Sequence, residues 1–341
     1  LMFFASDNAG PALPQVMQRL TEANTNYQMP YGNDTIMDEV RQTLRDLFEA
    51  PEAAIYLVAT GTAANSLALA CYTNPWDTIF CSSVAHIHED ECNAPEFYAG
   101  GAKLTLVPGT DRMTPEALRT AISGEQTRGV HGPQRGPVSI TQVTELGGVY
   151  SLTELQSLSA VAHEFDLPVH LDGARFANAL VALECSPSEM TWKAGVDIVS
   201  FGGTKNGCMG VEAVIFFDPK KAWEFELRRK RGAHLFSKHR YLSAQMAGYL
   251  SDNAWLDAAR KANATCAHLH AGLKANGANI LHPVDANIIF ATLPRAIHQK
   301  LQRNGAVYYV MDGDVATGDP DEQLMGRFVC DWSLTTNQVD Q

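Results

Sequence analysis

A carboxylate and an amine lie at the ends of two apolar, strand-like segments of this sequence. Asp172 follows "VHL" at 169–171, and Lys205 lies in the glycine-flanked stretch "GGTKNG" at 202–207, directly after "DIVSF". Ionised side chains are seldom buried without a partner, so Asp172 requires a cation from the protein or from a ligand. Because the two segments follow each other along the chain, we expect the carboxylate and the amine at adjacent strand ends.

A glycine turn at 60–65, "TGTAAN", has the residues that hold an anion. Gly61 permits a tight turn, and the Thr62 hydroxyl with the amides of Ala63 and Ala64 would begin the next helix. Free amides and the positive end of the helix dipole attract phosphate at such a position. The turn matches neither the P-loop nor the GxGxxG pattern, which argues against nucleoside triphosphates and dinucleotides. A plain strand-to-helix connection is the alternative interpretation.

Together these residue types match the needs of pyridoxal phosphate (PLP). Its aldehyde forms a Schiff base with a lysine, its pyridinium nitrogen pairs with a carboxylate, and its phosphate binds a helix amino terminus. Asp172 facing a buried pyridinium would keep the ring protonated, so that the ring accepts electrons from a breaking bond. A structural ion pair between Asp172 and Lys205 is the alternative, but the glycines beside the lysine and the nearby His86 favour the cofactor.

The elements that must position these residues alternate in type from about residue 35 to 217. A helical period that Asp34 would cap, and a capping box of Ser151 and Glu154, alternate with short apolar strands. This pattern predicts an α/β fold with a mostly parallel sheet flanked by helices. Polar clusters follow the predicted strands at 60–65, 86–91, 172–175 and 202–207. Ligands bind beyond the carboxyl ends of parallel strands, so we predict that the four clusters form one site.

The last third of the chain has a different pattern. From about residue 221 onward, long helical periods precede late strand-like segments such as "NIIFATL" and "GRFVCDW". We therefore predict two domains, residues 1–220 with the cofactor site and residues 221–341 as a smaller α+β domain. A chain of 341 residues is long enough for both.

The overall composition argues against several classes of protein. The net charge is −12, and the one basic run is the short "RRKRG" at 228–232, whereas nucleic-acid binding needs a clustered basic surface. No stretch approaches the roughly 20 apolar residues that span a bilayer. The seven cysteines include no CxxC pair and are odd in number, which is typical of a reducing compartment. We expect a cytoplasmic protein that binds neither nucleic acid nor membrane.

The stretches "HLDGARFANAL" at 170–180 and "SFGGTKNG" at 200–207 together resemble the threonine aldolase family of fold type I PLP enzymes, which is grouped with the β-eliminating lyases. The resemblance covers nearly the whole chain. Further similar segments are "SDNAG" at 6–10, "YGNDTIMDEVRQTL" at 31–44, "GTAAN" at 61–65, "AHIHEDE" at 85–91, "GGVYSLTEL" at 147–155 and "MGRFVCDW" at 325–332. Within the family, a phenylserine aldolase is the closer match that we expect.

The resemblance implies a role for each matching residue. Lys205 would form the Schiff base, Asp172 would face the pyridine nitrogen, His86 would stack on the ring, Gly61 and Thr62 would hold the phosphate, and Ser6, Arg175 and Arg327 would hold the substrate carboxylate. Arg175 would also contact the cofactor. The family further implies a homodimer or homotetramer whose subunits share active sites.

The implied reaction breaks the Cα–Cβ bond of a β-hydroxy-α-amino acid, of the threonine or 3-phenylserine type, to give glycine and an aldehyde. A base must take the β-hydroxyl proton, and the candidates are His86, His88, Glu91, His131 and a bound water. A β-eliminating lyase, an aminotransferase and a non-catalytic PLP-binding protein remain alternatives, because the same cofactor serves several reactions.

One segment departs from the family near the expected substrate. Where the family has ENTH before a glycine pair, this chain has "TQVTELGG" at 141–148, without the second active-site histidine. The loss predicts a larger or less polar pocket that favours 3-phenylserine over threonine. Alternatively, Gln142, Glu145 or His131 fills the same volume.

A second departure concerns a contact between subunits. The family's GGGMRQ stretch sends an arginine to a phosphate in a neighbouring subunit, and the matching stretch here is "GAHLFSK" at 232–238. Phe236 stands in the arginine's place, and Lys238 or Arg231 is the candidate substitute.

Several of the site residues also have simpler interpretations. The cluster at 86–91 has metal-binding side chains, but alternate residues of an extended segment point to opposite faces, so we predict no metal. His86 could be a satisfied core histidine. Arg175 and Arg327 could form structural ion pairs, and Ser6 could cap a turn.

Overall fold

The computed structural model describes residues 2–341. Within these residues the strands form sheets of two, four and seven strands, and the strands predicted between residues 35 and 217 pair in the seven-stranded sheet. The strands are β1 (Met2–Phe3), β2 (Ala54–Val58), β3 (Asp77–Ser82), β4 (Lys103–Val107), β5 (Gln134–Thr141), β6 (Val169–Gly173), β7 (Ile198–Gly202), β8 (Glu212–Phe216), β9 (Asn279–Ile280), β10 (Ile288–Pro294), β11 (Ala306–Val307), β12 (Tyr309–Val310) and β13 (Gln323–Val329).

Helices connect the strands. The α-helices are α1 (Pro14–Ala23), α2 (Thr35–Leu47), α3 (Gly61–Ala70), α4 (His86–Glu89), α5 (Ala94–Tyr98), α6 (Pro115–Gly124), α7 (Leu152–Glu164), α8 (Phe176–Leu183), α9 (Ala222–Arg231), α10 (Arg240–Leu250), α11 (Ala254–Ala275), α12 (Arg295–Arg303) and α13 (Thr336–Val339). Short 3-10 helices cover Gly129–His131, Trp192–Ala194, Thr204–Asn206, Pro219–Lys221 and Ser251–Asn253.

The large sheet has the strand order β2-β8-β7-β6-β5-β3-β4. Strands β7, β6, β5, β3 and β4 are parallel to one another, and β8 is antiparallel to both β7 and β2. The predicted α/β architecture with a mostly parallel sheet is therefore confirmed. The carboxyl ends of β5, β6 and β7 share one edge of the sheet, which is where parallel strands place ligands.

Two helix layers cover the faces of this sheet because successive strand residues point to opposite sides. Ile198 of β7 belongs to a buried cluster with Ala64 and Leu67 of α3. Val199 and Phe201 of the same strand belong to a larger cluster that includes residues of α2, α8 and α10. The sheet edge that carries the polar clusters is thus held between packed apolar layers.

The predicted helix caps are confirmed. The side chain of Asp34 accepts a hydrogen bond of 2.9 Å from the amide of Met37 at the start of α2. Ser151 and Glu154 form the reciprocal capping box at the start of α7. Such caps satisfy amides that have no partner within the helix.

The carboxyl-terminal third contributes a second, smaller core. The antiparallel sheet β12-β13-β10-β9 packs with Cys266 and Leu269 of α11. Met2 and Phe4 of the amino-terminal segment join this smaller core, whereas α10 and the start of α11 join the larger one. Each core therefore includes segments from both sides of residue 220.

Two further features concern the whole of the described chain. The seven cysteines are all unpaired. Of the helices within residues 2–341, none combines the length and the apolar character that crossing a membrane requires.

Candidate active site

Asp172 lies at the carboxyl end of β6 and is only 2% exposed. Its Oδ1 accepts a hydrogen bond of 3.1 Å from the Ala174 amide, and its Oδ2 accepts one of 3.0 Å from Asn65 Nδ2. Both donors are neutral, and Asp172 has no ion-pair partner within residues 2–341. The alternative of a structural ion pair with Lys205 is therefore wrong. A buried carboxylate of this kind fits a cationic ligand.

Lys205 lies in the 3-10 helix that directly follows β7. Because Asp172 is paired with Ser200 in the β6–β7 ladder, the carboxylate and the lysine leave the sheet at the same edge. The Asn206 side chain fixes the turn through hydrogen bonds of 2.8 Å to both the Tyr249 hydroxyl and the Trp255 carbonyl. The Lys205 amine makes no hydrogen bond or ion pair with any residue that the structure describes, so it is available to a ligand.

Two glycines around Lys205 have specific structural reasons. A Cβ on Gly202 would lie 2.4 Å from the carbonyl oxygen of Ala174, so the turns after β6 and β7 approach closely only because Gly202 has no side chain. Gly207 has a φ of 113°, in the left-handed region that favours glycine. The predicted close bending of the backbone is confirmed at these two positions.

His86 begins the short helix α4, and its Nδ1 lies 2.8 Å from Glu91 Oε1. The same Glu91 oxygen accepts a hydrogen bond of 2.9 Å from Asn65, whose Nδ2 also bonds Asp172. Side chains therefore connect His86 to Asp172 through Glu91 and Asn65. Segment 86–89 is helical rather than extended as predicted, because a four-residue segment carries little periodic information.

The connected side chains alter each other's protonation. The hydrogen bond to Glu91 raises the pKa of His86 although burial opposes it, and the charge of Asp172 acts in the same direction. Burial raises the pKa of Glu91. Asn65 Oδ1 and Glu91 Oε2 are buried without a hydrogen-bond partner among the described residues. Sequence reasoning did not identify Asn65, because nothing in the pattern of α3 marks one polar residue among its buried positions.

Helix α3 begins at Gly61, and Thr60 is its cap. The Thr60 hydroxyl accepts from the Ala63 amide at 3.1 Å, and the Thr60 carbonyl accepts from the Ala64 amide at 3.1 Å. The Ala63 and Ala64 amides, which the sequence places at the start of this helix, therefore both bond to Thr60. The amides of Gly61 and Thr62 have no acceptor within residues 2–341, and a Cβ on Gly61 would meet nothing within 4 Å. These two amides fit an anion.

Arg175 is buried and makes a bidentate ion pair with Asp7. Its Nε donates to Asp7 Oδ2 at 2.7 Å, and its Nη2 donates to Oδ1 at 3.0 Å. Burial alone would raise the pKa of Asp7, but the charges of Arg175 and Lys205 lower it overall. Arg175 therefore does form a structural ion pair, which was the simpler interpretation of this residue in the sequence. Its Nη1 makes no hydrogen bond to a described residue.

Arg327 and Ser6 lie beside this pair. Arg327 Nη1 donates to the Ala5 carbonyl at 3.5 Å, and burial together with the charge of Arg175 lowers the pKa of Arg327. The Ser6 hydroxyl accepts from the Asn8 amide at 3.1 Å, which is the turn cap of the simpler interpretation. The amino-terminal segment, the end of β6 and strand β13 therefore bring two arginines together.

A comparison with protein families now bears on this site. Residues 4–296 match the family model described as β-eliminating lyase. The chain belongs to the β-eliminating lyase family. The resemblance that the sequence suggested is confirmed.

Two threonine aldolases are similar to this chain over nearly its whole length. A low specificity L-threonine aldolase from Pseudomonas aeruginosa is 39% identical over 339 residues, which cover 98% of this chain and 94% of that protein. The structure of a threonine aldolase from Leishmania major has a TM-score of 0.92 at 24% identity, covering 100% of this chain and 98% of that chain.

A third match concerns the cofactor. A serine palmitoyltransferase from S. paucimobilis, solved with bound PLP–myriocin, has a TM-score of 0.69 at 19% identity, covering 99% of this chain and 84% of that chain. The predicted fold type I architecture and the predicted dependence on PLP are confirmed for this member of the β-eliminating lyase family.

The residues of this family member fit PLP on three independent observations. Asp172 is a buried carboxylate without a cation, the Lys205 amine has no partner in the described chain, and the Gly61 and Thr62 amides are free at a helix amino terminus. Each feature would be costly or unexplained without a ligand, and each matches a different part of the cofactor.

The candidates for the catalytic base fall in different places. His131 belongs to the 3-10 helix that precedes β5, at the sheet edge opposite Asp172, so it is too remote for this role. His88 is on the outer side of α4, 3.3 Å from Glu89. Gln142 is buried and bonds the backbone of Tyr150 with both of its amide atoms, so it does not fill the substrate pocket either.

Glu212 is a further buried carboxyl group that the sequence did not single out. It begins β8 opposite Gly202, and its Oε2 accepts from the Gly203 amide at 2.8 Å. Burial raises the pKa of Glu212 to about 7, although hydrogen bonds and the charge of Lys205 oppose the shift. A glutamate within an otherwise apolar strand, "GVEAVIFF", was the available signal.

Proposed function

We propose that Lys205, Asp172 and His86 form the catalytic centre of this protein, with the phosphate of PLP held by Gly61 and Thr62. The protein is a PLP-dependent lyase that cleaves a β-hydroxy-α-amino acid into glycine and an aldehyde. The observation that carries the proposal is the buried Asp172 without a cation, at the same sheet edge as the unpartnered Lys205 amine.

Each side chain then has a defined task. When bound, the cofactor supplies an electron sink for the pair released from the Cα–Cβ bond. Asp172 holds the positive charge of the ring nitrogen, and Asn65 orients Asp172 from the other side. His86, held by Glu91, would lie against the ring. The Lys205 amine would hold the cofactor covalently.

The substrate carboxylate would bind between Ser6, Arg327 and the Nη1 of Arg175, an atom without a partner in the described chain. Arg175 would also contact the cofactor. The ion pair with Asp7 holds Arg175 in one orientation, and planar guanidinium groups bind carboxylates in a fixed geometry. A fixed carboxylate sets the rotation about the bonds to Cα, and that rotation selects the bond that breaks.

We infer a preference for 3-phenylserine over threonine. Gln142 is turned away from the pocket, and no histidine follows β5 in the position that the family pattern uses. A buried phenyl group contributes on the order of 1.5–3 kcal/mol more than a methyl group, which corresponds to roughly a ten- to hundredfold higher kcat/KM.

We also infer a homodimer or homotetramer in the cytoplasm, with active sites shared between subunits. Tyr31 and Phe236 are exposed apolar residues in neighbouring segments. The two segments are joined by a hydrogen bond of 3.2 Å, which the Tyr31 amide donates to the Ser237 carbonyl. Exposed apolar clusters of this kind favour a protein interface. Whether Lys238 or Arg231 reaches a neighbouring phosphate stays a prediction. The seven unpaired cysteines support a reducing compartment.

The decisive experiment combines labelling with a substrate panel. Borohydride should fix PLP to the peptide that contains Lys205, and 3-phenylserine should release glycine and benzaldehyde with a higher kcat/KM than threonine. A label on another peptide would exclude the assignment of Lys205. Ammonia with a keto acid instead of glycine would indicate β-elimination, dependence on an added keto acid would indicate transamination, and binding without turnover would indicate a non-catalytic protein.

A further inference from the structure

The turn after β5 carries a carboxylate that the site described above leaves without a role. Glu145 is half-buried, and its side chain makes no hydrogen bond or ion pair with any residue in the range 2–341. Partial burial removes some of the water around a carboxylate, and a polar ligand can replace those hydrogen bonds. Glu145 therefore has the free acceptor atoms that a bound polar molecule needs.

The backbone around Glu145 is firmly held on both sides. The Thr144 hydroxyl donates to Asp111 Oδ2 at 2.7 Å and accepts from the Gly148 amide at 2.8 Å. The Thr144 amide donates to the Gly148 carbonyl at 2.9 Å, and the Gly147 amide donates to the Thr144 carbonyl at 3.0 Å. The position of the Glu145 Cα is thus fixed by its neighbours, and only its side chain is free to meet a ligand.

The charge of Glu145 reaches three cationic or titratable groups of the active site. The negative charge of Glu145 acts on His86, Arg175 and Arg327, which belong to α4, the end of β6 and β13. The turn that carries Glu145 leaves the sheet beside Asp172, because the Gln142 amide directly after β5 donates to the Asp172 carbonyl at 2.9 Å. Glu145 therefore lies at the edge of the proposed substrate site.

The other candidates for the base are already occupied or distant. Glu91 is buried and bonded to both His86 and Asn65. The Nδ1 of His86 is engaged with Glu91, and this hydrogen bond raises the pKa of His86. His131 lies at the opposite sheet edge and His88 pairs with Glu89, so Glu145 is the candidate whose two carboxylate oxygens both lack a partner among residues 2–341.

We propose that Glu145 is the catalytic base, which binds the β-hydroxyl of the substrate and takes its proton as the Cα–Cβ bond breaks. The inference rests on the proposed function. The O–H bond breaks and its proton moves to a Glu145 oxygen, while the oxygen's electron pair forms the aldehyde C=O bond. The electron pair of the broken bond is left on Cα, which is then protonated to give glycine, and Glu145 returns its proton to water.

The test separates the β-hydroxyl from the rest of the substrate. Glycine has an α-carboxylate, an amine and Cα protons but no β-hydroxyl, so its α-proton exchange with deuterated water does not need the proposed base. We expect Glu145→Gln to lower kcat/KM for cleavage of threonine and of 3-phenylserine about 100-fold or more. The same variant should exchange the glycine α-proton within about threefold of the wild-type rate.

A matched control changes a glutamate that lies outside the site. Glu52 is exposed in the turn before β2, so Glu52→Gln removes the same charge and should leave both rates unchanged. In Glu145→Ala, added acetate should partly restore cleavage, since a small carboxylate can occupy the vacated space.

Two outcomes would overturn the proposal. An equal loss of cleavage and of glycine exchange in Glu145→Gln would show that Glu145 only organises the arginines, and unchanged cleavage would show that it is not the base. Failure of the wild-type protein to cleave any β-hydroxy amino acid while still exchanging the glycine α-proton would instead reject the proposed function.

Discussion

At the scale of single residues, the site depends on carboxyl groups whose protonation the fold controls. Asp172 bonds only neutral donors, Glu91 bonds Asn65 and His86, and Glu212 bonds the Gly203 amide. Burial favours the neutral form of a carboxyl group, and a positive partner or a hydrogen bond opposes that effect. Burial raises the pKa of Glu212 to about 7, so its effect on stability is directly measurable.

We predict that Glu212→Gln makes the stability of the apoprotein less dependent on pH. The folded-state pKa of about 7 exceeds the usual value of 4.5, so the unfolded chain ionises first as the pH rises. The wild type therefore loses stability between about pH 4.5 and pH 7, by on the order of 3 kcal/mol, and the variant lacks this loss. Urea unfolding of both proteins at pH 5 and pH 8 measures it.

The deciding quantity is the difference, for each protein, between the free energies of unfolding at pH 5 and at pH 8. Other groups titrate in both proteins and cancel in that difference. An equal loss of stability in wild type and variant would show that Glu212 is already ionised at pH 5.

The residue types of the site were readable from the sequence, but several of their partners were not. Asp172 and Lys205 stand out because polar residues directly follow apolar strands, and their common sheet edge follows from the parallel topology. The partner of Arg175 is Asp7, which lies 168 positions away in the sequence. A local sequence pattern cannot reveal a partner at that separation. The cap at Thr60 instead of Thr62 is a shift of two residues, which is within the uncertainty of any helix start.

At the scale of elements, the site depends on how closely the ends of β6 and β7 approach. The turns that carry Asp172 and Lys205 come together where Gly202 faces the Ala174 carbonyl. The alternation of strands and helices predicted this meeting, since neighbouring parallel strands end at one edge. The closeness of the approach was not predicted, because it depends on the twist and register of the finished sheet.

We predict that Gly202→Ala separates these turns. The added methyl group would lie 2.4 Å from the Ala174 oxygen, so the backbone must shift, at a cost of about 1–3 kcal/mol. PLP binding should weaken, because Asp172 and Lys205 then lose their relative positions. Equilibrium dialysis of PLP and urea unfolding measure the two effects.

Gly272→Ala in α11 provides the matched control. A Cβ at Gly272 meets nothing within 4 Å, and alanine favours a helix by about 0.5–1 kcal/mol over glycine. The control should gain stability and keep its PLP affinity. If Gly202→Ala also kept its PLP affinity, the result would contradict the prediction and show that PLP binding tolerates separation of the two turns.

At the scale of the whole molecule, two cores are tied together by segments that cross between them. Met2 and Phe4 pack in the smaller core, while Asp7, only three residues after Phe4, bonds Arg175 at the end of β6. Movement of the smaller core would therefore move Arg327 relative to Arg175. The sequence pattern divided the chain at residue 220, because a change of periodicity is visible locally whereas an exchanged segment is not.

The assembly of the molecule provides the last prediction. Phe236 is 46% exposed and lies in the segment that contacts Tyr31, where a fold of this family is expected to meet its partner subunit. Light scattering of the wild type should give a mass of two or four times 37.1 kDa. Phe236→Glu would place a charge in the proposed interface, so its mass should fall toward 37.1 kDa and its aldolase activity should fall with it. The substituted side chain is exposed, so urea unfolding of the separated subunits should show a folded protein. A monomer of full activity would mean that each active site is complete within one chain.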